Sequence, residues 1–470
     1  MTDPTTFFDG LCETAARIES RQLSPVELTR ALLERIDQVD GRLHSYATVM
    51  AESALDAASR AEEEIEAGRY LGPLHGIPVG VKDLCFTRGV PTMGGQAFRR
   101  DFRPGFDSTA VAKLAEAGAV LIGKLSLTEG AMRGYHRSFP IPTNPWGDDL
   151  WPGSSSSGSG VAVAAGLCFA ALGTDTGGSI RCPTMANGIV GLKPTYGLVS
   201  RYGVLALAES LDHVGPMGRR VADVAALLEA IAGHDPEDAT SLETPPLRIS
   251  ERLGDGIVGA RLGCDRGYAT DGTEPGLVTA IEAALGKFDA LGAEVVEIEL
   301  PRFGPDQVNA WMKICSREAC AAHSSTFPSR ADEYGEFFRD FLERGARVTP
   351  ETYAAQTEVR DDFNRSFREV LSSVDAVVAP PGGAPFRVRP GLLYGGMKDL
   401  AVILEHIQFH FTAPADFAGT PTISLPCGQS PHGVPYTIQL LGDQLTEPTL
   451  CRIAHTYEQA TGWHHLHPEV

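Results

Sequence analysis

The sequence predicts an α/β fold, in which helices cover a largely buried sheet within one large domain. Helical and strand patterns alternate along residues 108–233, which is typical of layered α/β proteins. The chain has 470 residues, of which 43% are hydrophobic and 21% are charged, enough for a large core. No linker long enough to separate independent domains interrupts it, and apolar segments near both ends have strand character. We therefore predict a single domain whose sheet takes strands from both ends of the chain.

The N-terminal part, residues 1–70, has the periodicity of helices. Ser24 followed by Pro25 predicts a helix start, because a serine hydroxyl caps free N–H groups and proline suits the first helical position. A second amphipathic helix is predicted to end at Gly68.

The central part, residues 71–235, is predicted to form the core of the sheet. Short apolar segments bounded by glycine predict strands at 77–81, 119–122 and 168–174. Helical patterns lie between and after them, at 108–118, 159–166 and 222–233. Because these strands are apolar throughout, we expect both faces of the sheet to be covered.

The remaining chain divides into an insert and a C-terminal part. Residues of about 240–375 are mostly helical and charged in pattern, and we expect them to cover one side of the sheet. In residues 376–470, strand patterns return in AVVAPP, TISLPCG and YTIQLLGD, together with further helices.

Charge and cysteine content limit the possible partners and location. The net charge is −20, from 40 basic and 60 acidic residues, and such a surface repels nucleic-acid phosphates. No signal peptide is evident, and the apolar run 161–173 is too short to span a bilayer. Nine scattered cysteines without a CxxC pair are typical of reduced thiols. We expect a cytoplasmic protein without nucleic-acid or membrane partners.

Two serine-containing turns carry the strongest chemical signal. Ser179 follows Gly177 and Gly178 in GTDTGGSIR. Two glycines let the backbone turn sharply, so that several N–H groups converge as an oxyanion hole requires. The candidate donors are the N–H groups of Thr176, Gly177, Gly178 and Ser179. The alternative is an ordinary glycine-rich turn between a strand and a helix.

The second turn holds four serines, Ser154 to Ser157, directly before a helical pattern. Capping of that helix is the alternative role for these serines. Serine needs a base to become a nucleophile, and Lys82 ends an apolar strand upstream. Desolvation there would lower its pKa and leave more of the neutral amine, although pairing with Asp83 is the commoner outcome.

Other catalytic motifs are absent from the sequence. Ile180 and Arg181 follow Ser179, so the nucleophile-elbow pattern GxSxG is not met, and no HExxH occurs. The segment 118–124 has P-loop spacing, but Leu125 replaces the required Ser or Thr and the interior is an apolar strand. The tail His464 to His467 is expected to be an exposed end. We expect no cofactor and no metal.

Six segments resemble the amidase signature family, in the family's order and over nearly the whole length. They are GIPVGVKD at 76–83, WPGSSSSGSGVAVAAG at 151–166, GTDTGGSIRCP at 173–183, GLKPTYGLVSRYGV at 191–204, SLDHVGPM at 210–217, and FAGTPTISLPCG with GVPYTIQLLG near the C-terminus. The resemblance implies a single α/β/α domain around a large mixed β-sheet. It also implies a Ser-cisSer-Lys triad, with Ser179 as nucleophile, Ser155 as bridging serine and Lys82 as general base.

The resemblance assigns supporting roles as well. Ser154 shares the cis peptide bond with Ser155, while Asp175 and Arg181 brace the loop. Gly130 and Ala131, in GKLSLTEGAM, are expected to line the acyl site. Ser154 and Ser157 stand where the family usually has glycine; because serine is small, we interpret this as variation.

The resemblance leaves three functions open. The first is a stand-alone amidase for small apolar or aryl amides, with esters and carbamates (urethanes) as further substrates, as a monomer or a homodimer. The second is the glutaminase subunit of a tRNA-dependent amidotransferase, whose members share KPTYG and SRYG. Against it, no ARYDG-like segment occurs at 300–375, and Phe409 occupies the position of an acidic amide-binding residue. Phe409, Phe411 and Trp311 could form an apolar pocket wall. The third is a catalytically inactive binding member of the family.

Overall fold

A computed structural model describes residues 7–470, and its centre is one sheet of 11 strands. The strands are β1 Tyr46–Val49, β2 Pro78–Lys82, β3 Val120–Leu125, β4 Ala170–Asp175, β5 Val190–Lys193, β6 His213–Gly218, β7 Arg261–Cys264, β8 Glu294–Glu297, β9 Ala376–Ala379, β10 Thr422–Gln429 and β11 Pro435–Leu441.

Fifteen α-helices within the described residues surround this sheet. They are α1 Leu11–Glu19, α2 Pro25–Leu43, α3 Ala51–Glu66, α4 Thr109–Glu116, α5 Ser157–Ala164, α6 Arg181–Asn187, α7 Val221–Ile231, α8 Arg266–Thr270, α9 Pro275–Ala290, α10 Pro305–Ala322, α11 Glu336–Ala346, α12 Pro350–Leu371, α13 Ala401–His406, α14 Phe409–Phe417 and α15 Glu447–Gln459.

The strand order is β1-β3-β2-β4-β6-β5-β10-β11-β9-β7-β8. β2 pairs in parallel with both β3 and β4, whereas β4 to β6 and β10 to β11 are antiparallel. The prediction of a mixed sheet with strands from both ends of the chain is therefore confirmed. No helix within residues 7–470 has the length and apolar character needed to cross a bilayer.

The start of α2 shows how local sequence sets an element. Pro25 occupies the first helical turn, and the Ser24 hydroxyl accepts a hydrogen bond from the N–H of Glu27 at 3.1 Å. The predicted N-cap is therefore confirmed, and it satisfies one N–H that the helix itself leaves free.

The insert differs from the expectation in one respect. It contains helices α8 to α12, but it also contributes β7 and β8, which pair in parallel at one end of the sheet. Both strands have only four residues, and β8 is partly exposed. Such short strands carry little apolar alternation, so periodicity does not reveal them.

The P-loop spacing at 118–124 is part of β3 rather than a phosphate loop. Lys124 is buried, and its ammonium donates to the carbonyl of Cys85 at 2.6 Å and to the hydroxyl of Thr92 at 2.8 Å. It also lies 3.4 Å from the carboxylate of Asp83. Asp83 thus pairs with Lys124 and leaves Lys82 to other partners.

Helix α5, which follows the serine run, is buried along its whole length. A Cβ atom on Gly158 would come within 2.4 Å of the carbonyl oxygen of Ser45 and 2.5 Å of the nitrogen of Ser126. Only glycine allows this close approach of the backbones. The approach seats the first turn of the helix, and the serines before it, against the end of β3.

Candidate active site

Lys82 is the last residue of β2 and its side chain is fully buried. Its ammonium nitrogen Nζ lies 2.8 Å from Oγ of Ser155, 2.8 Å from Oγ of Ser156 and 2.7 Å from Oγ1 of Thr174. Among the described residues, three hydroxyls and no carboxylate lie within hydrogen-bond distance of the amine. Burial lowers the pKa of Lys82 to about 7, because low-polarity surroundings disfavour the charged form.

The hydrogen bonds of Ser156 determine how a neutral Lys82 would be oriented. The Ser156 hydroxyl donates to the carbonyl of Thr174 at 3.2 Å and accepts from the Thr174 N–H at 3.2 Å. A hydroxyl has one proton, so Ser156 can only accept from Lys82. A neutral amine has two N–H donors and one lone pair. With the donors directed at Ser156 and Thr174, the lone pair is left for the proton of Ser155.

Ser155 is held on its backbone as well as on its side chain. The peptide bond between Ser154 and Ser155 is cis, as the resemblance implies. The carbonyl of Ser155 accepts from the N–H of Thr128 at 3.3 Å, and the N–H of Ser156 donates to the carbonyl of Ser179 at 3.3 Å. The serine run and the Ser179 turn are therefore in direct contact.

Ser179 lies in the turn between β4 and α6 and is partly exposed. Its hydroxyl has no hydrogen-bond partner among residues 7–470. The side chain borders a pocket that also contacts Ser154 and the backbone of residues 176–178. This hydroxyl is therefore free to meet a ligand.

A buried cluster of charged side chains holds the turn that contains Ser179. The Arg181 guanidinium donates to Asp175 at 3.0 and 3.1 Å and to Asp416 at 2.6 Å. Burial alone would raise the pKa of Asp175, but Arg181 holds that pKa well below its ordinary value. All three side chains are fully buried. The bracing role of Asp175 and Arg181 stays a prediction.

Residues from distant helices fix the peptide planes of the turn. The indole N–H of Trp311, on α10, donates to the carbonyl of Thr176 at 3.0 Å. The Thr412 hydroxyl, on α14, donates to the carbonyl of Gly177 at 2.8 Å. Because a peptide group is planar, holding each carbonyl also fixes the direction of the following N–H.

The four expected oxyanion donors divide into two groups. The N–H of Gly178, whose φ is +124°, donates to the carboxylate of Asp175, so this group fastens the turn and is not free. The N–H groups of Thr176, Gly177 and Ser179 have no partner within the described part of the chain. Three of the four candidates are thus available to a ligand oxygen.

We call the space beside this turn the Ser179 pocket. Its polar border consists of Ser154, Thr176, Gly177, Gly178 and Ser179, together with Arg133 and Cys182. Its apolar border consists of Ala131, Met132, Leu207, Trp311, Ile407 and Phe409. The free volume is about 30 Å³, room for about two water molecules. A substrate therefore needs more room than this volume, and two of the lining residues, Ala131 and Leu207, also border a neighbouring cavity of about 970 Å³.

Two residues expected in the pocket lie elsewhere. Gly130, at φ +58°, borders a neighbouring cavity, and a Cβ there would come within 2.3 Å of the ring of Phe338. Phe411 is buried in the core, where its ring centroid lies 5.1 Å from that of Tyr268. In contrast, Ala131, Trp311 and Phe409 do line the pocket.

Several residues of the site carry no recognisable signal in the sequence. Ser156 and Thr174, which bind Lys82, are ordinary hydroxyl residues in a serine run and a strand, and only their spatial proximity distinguishes them. Arg133 stands alone in a loop without periodicity. Among residues 7–470, no three His, Cys, Asp or Glu side chains are grouped to hold a metal ion.

Comparison with known proteins places these features in a family. A sequence profile of the Amidase family matches residues 27–451. The chain is 44% identical to the putative amidase AmiD of Mycobacterium tuberculosis, over 98% of this chain and 96% of that protein. It is 40% identical to a glutamyl-tRNA(Gln) amidotransferase subunit of Geobacter metallireducens, over 95% and 96% of the two chains.

A solved structure gives the same result. The native peptide amidase of Stenotrophomonas maltophilia superposes with a TM-score of 0.83, at 30% identity over 96% of each chain. Family profile, relatives and fold agree over nearly the full length. The chain belongs to the amidase signature family of hydrolases.

Proposed function

We propose that this protein is a stand-alone amidase that cleaves carbon–nitrogen bonds through an acyl-enzyme on Ser179, with Ser155 as proton carrier and Lys82 as general base. The observation that carries the proposal is the buried Lys82, whose pKa is lowered to about 7 and whose Nζ is 2.8 Å from Ser155. An amine with this pKa is about half neutral at pH 7 and mostly neutral at pH 8, so it can act as a general base there.

The proposed cycle follows from the directions of the hydrogen bonds. Neutral Lys82 takes the proton of Ser155 while Ser155 takes the proton of Ser179, whose Oγ attacks the amide carbonyl. The free N–H groups of Thr176, Gly177 and Ser179 stabilise the oxyanion. The carbon–nitrogen bond then breaks as the relay returns a proton to the leaving amine. Water, deprotonated by the same relay, hydrolyses the acyl-enzyme.

The pocket border supports substrates with an apolar or aryl part. Trp311 and Phe409 meet edge to face, with ring centroids 4.8 Å apart, and both border the pocket that contains Ser179. Aromatic walls of this kind pack well against flat apolar groups. Esters and carbamates present the same carbonyl to Ser179, so we include them as substrates.

The relatives also favour a second candidate, the glutaminase component of an amidotransferase, given the 40% identity to the Geobacter metallireducens protein. Free glutamine carries an α-ammonium group that needs an acceptor. The described border of the Ser179 pocket contains no carboxylate, and Phe409 contributes an apolar ring. We therefore rank this function second, and a catalytically inactive binding protein third.

We propose further that residues 7–470 act as one domain and that the protein works in the cytoplasm on small molecules. The single sheet, which includes strands from residue 46 to residue 441, supports the first point. We keep both oligomeric states, monomer and homodimer, as alternatives.

Purified protein, without added partner, provides the test. We expect hydrolysis of aryl and aliphatic amides, an aryl ester and an aryl carbamate, and no release of ammonia from glutamine. Ser179→Ala should abolish hydrolysis, whereas the control Ser138→Ala, at an exposed position, should retain it. Full activity of Ser179→Ala would refute the proposal. Glutaminase activity that appears only with a partner would favour the second candidate.

A further inference from the structure

Arg133 is the one cationic side chain on the border of the Ser179 pocket as described. It follows Ala131 and Met132 in the loop after β3 and is partly buried. The central carbon of its guanidinium lies 5.7 Å from the ring centroid of Phe409, another pocket residue. The guanidinium therefore belongs to the border of the same pocket as the proposed nucleophile Ser179.

The guanidinium has no hydrogen-bond or ion-pair partner among residues 7–470. Two other buried arginines have several partners: Arg181 binds two carboxylates, and Arg219 binds three backbone carbonyls at 2.9 to 3.0 Å. The ionisable groups that act on the charge of Arg133 are the thiols of Cys182 and Cys315. Neither compensates a positive charge at neutral pH, because burial raises the pKa of both thiols.

A partly buried guanidinium without a counter-ion is less favourable than a paired one. Burial lowers the pKa of Arg133 from its ordinary value, yet arginine stays charged in proteins. The contact with the Phe409 ring replaces only part of the lost hydration. An anion in the pocket would supply the negative charge that Arg133 lacks. A carboxylate suits this role, because its two oxygens match the planar arrangement of the guanidinium N–H groups.

We propose that the substrate is an amide that also carries a carboxylate, and that Arg133 binds this carboxylate while Ser179 attacks the amide. This inference rests on the proposed amidase function and adds the substrate class. The apolar walls then contact the part of the substrate between the two groups. With a net charge of −20, the protein as a whole repels anions. Binding of an anionic substrate therefore depends on the positive charge of Arg133. Free glutamine fits poorly, because its ammonium group would face Arg133 without an acceptor.

The carboxylate can lie on either side of the scissile bond, and two substrate pairs separate these cases. For the acyl side, N-(4-nitrophenyl)succinamate is compared with the neutral N-(4-nitrophenyl)-4-oxopentanamide. For the amine side, N-pentanoyl-4-aminobenzoate is compared with N-pentanoyl-4-aminoacetophenone. In each pair the neutral member replaces one carboxylate oxygen by a methyl group, so the pair isolates the charge.

We expect wild-type protein to prefer the acid in one pair by about 10- to 100-fold in kcat/KM, the range for a hydrogen bond between charged groups. Arg133→Met should bring that ratio close to one, and Arg133→Lys should restore part of it. Arg137→Met is the matched control, because Arg137 lies on the same loop and is exposed; it should keep the wild-type ratio.

Two outcomes would overturn the inference. One is active wild-type protein without preference for the acid in either pair. The other is an Arg133→Met variant that loses activity equally on acid and neutral substrates, since this indicates a structural role.

Failure of the amidase proposal is recognised separately, by Ser179→Ala hydrolysing as fast as wild type. Calorimetric binding of the two acids to Ser179→Ala then tests Arg133 without turnover. Binding that is at least tenfold weaker in Ser179→Ala/Arg133→Met supports the carboxylate site, and equal binding refutes it.

Discussion

The amine nitrogen of Lys82 lies 2.8 Å from the hydroxyl oxygen of Ser155, although 73 residues separate them in the chain. Lys82 is the last residue of β2, and Ser155 lies in the turn before α5. No carboxylate among the described residues lies within hydrogen-bond distance of the amine, which supports the proposed proton transfer rather than ion pairing. Catalytic activity and its pH dependence should follow from this arrangement.

Replacement of the amine should abolish most of the activity. Lys82→Met keeps the length and apolar character of the side chain but removes the base, so kcat should fall by about 10²- to 10⁴-fold. Lys82→Arg should not restore it, because a guanidinium remains protonated. Steady-state kinetics measures both variants, with circular dichroism as the folding control. Activity of Lys82→Met within threefold of wild type would contradict the role of Lys82.

The pH profile should have a rising limb near neutrality. Because burial lowers the pKa of Lys82 to about 7, the base is protonated and inactive below that pH and neutral above it. For a neutral substrate, kcat/KM should fall about tenfold for each pH unit below 6 and level off above 8. A profile that is flat from pH 5 to 9 would show that no group with this pKa takes part.

The orientation of Lys82 by Ser156 gives a more specific test. Ser156→Ala removes one acceptor of the Lys82 N–H groups, so the lone pair of the amine is less well directed at Ser155. We expect kcat to fall about tenfold, which corresponds to the free energy of one such hydrogen bond. The same change removes a partner of the charged amine, so the rising limb should move to lower pH. Loss of activity without a shift of the limb would indicate a packing defect instead.

The buried cluster beneath the turn should control stability. Asp175→Ala leaves part of the Arg181 charge uncompensated in the core, which should cost about 3–5 kcal/mol of unfolding free energy. Urea denaturation measures this cost. Asp148→Ala is the control, since Asp148 pairs with Arg42 on the surface, with 73% of its side chain exposed, and should change stability by less than about 1 kcal/mol. Equal effects of the two variants would refute the account of the cluster.

Local patterns predicted much of the fold. The cap at Ser24 and the buried strands β2 to β4 depend on neighbouring residues, so periodicity and turn chemistry reveal them. The strands β7 and β8 were missed because they are four residues long and become strands only through pairing with each other and with β9.

The site could be predicted only in part. The family resemblance brought Lys82 and Ser155 together, which spacing alone could not. Thr174 reaches Lys82 because β4 lies beside β2 in parallel, with Val81 opposite Leu172, and such a register is invisible in the sequence. Arg133 gave no signal either, since an arginine in a loop is normally solvated. Its importance depends on the absence of a partner within the described residues, which only the structure can show.

Covalent labelling of Ser179 tests the central claim most directly. Wild-type protein treated with a fluorophosphonate and digested should carry one label, on the peptide that contains Ser179, as read by mass spectrometry. Lys82→Met should be labelled at least about 100-fold more slowly, because the relay that activates Ser179 is broken. A label on another residue, or equal rates for the two proteins, would contradict a Ser179 nucleophile activated through Ser155 and Lys82.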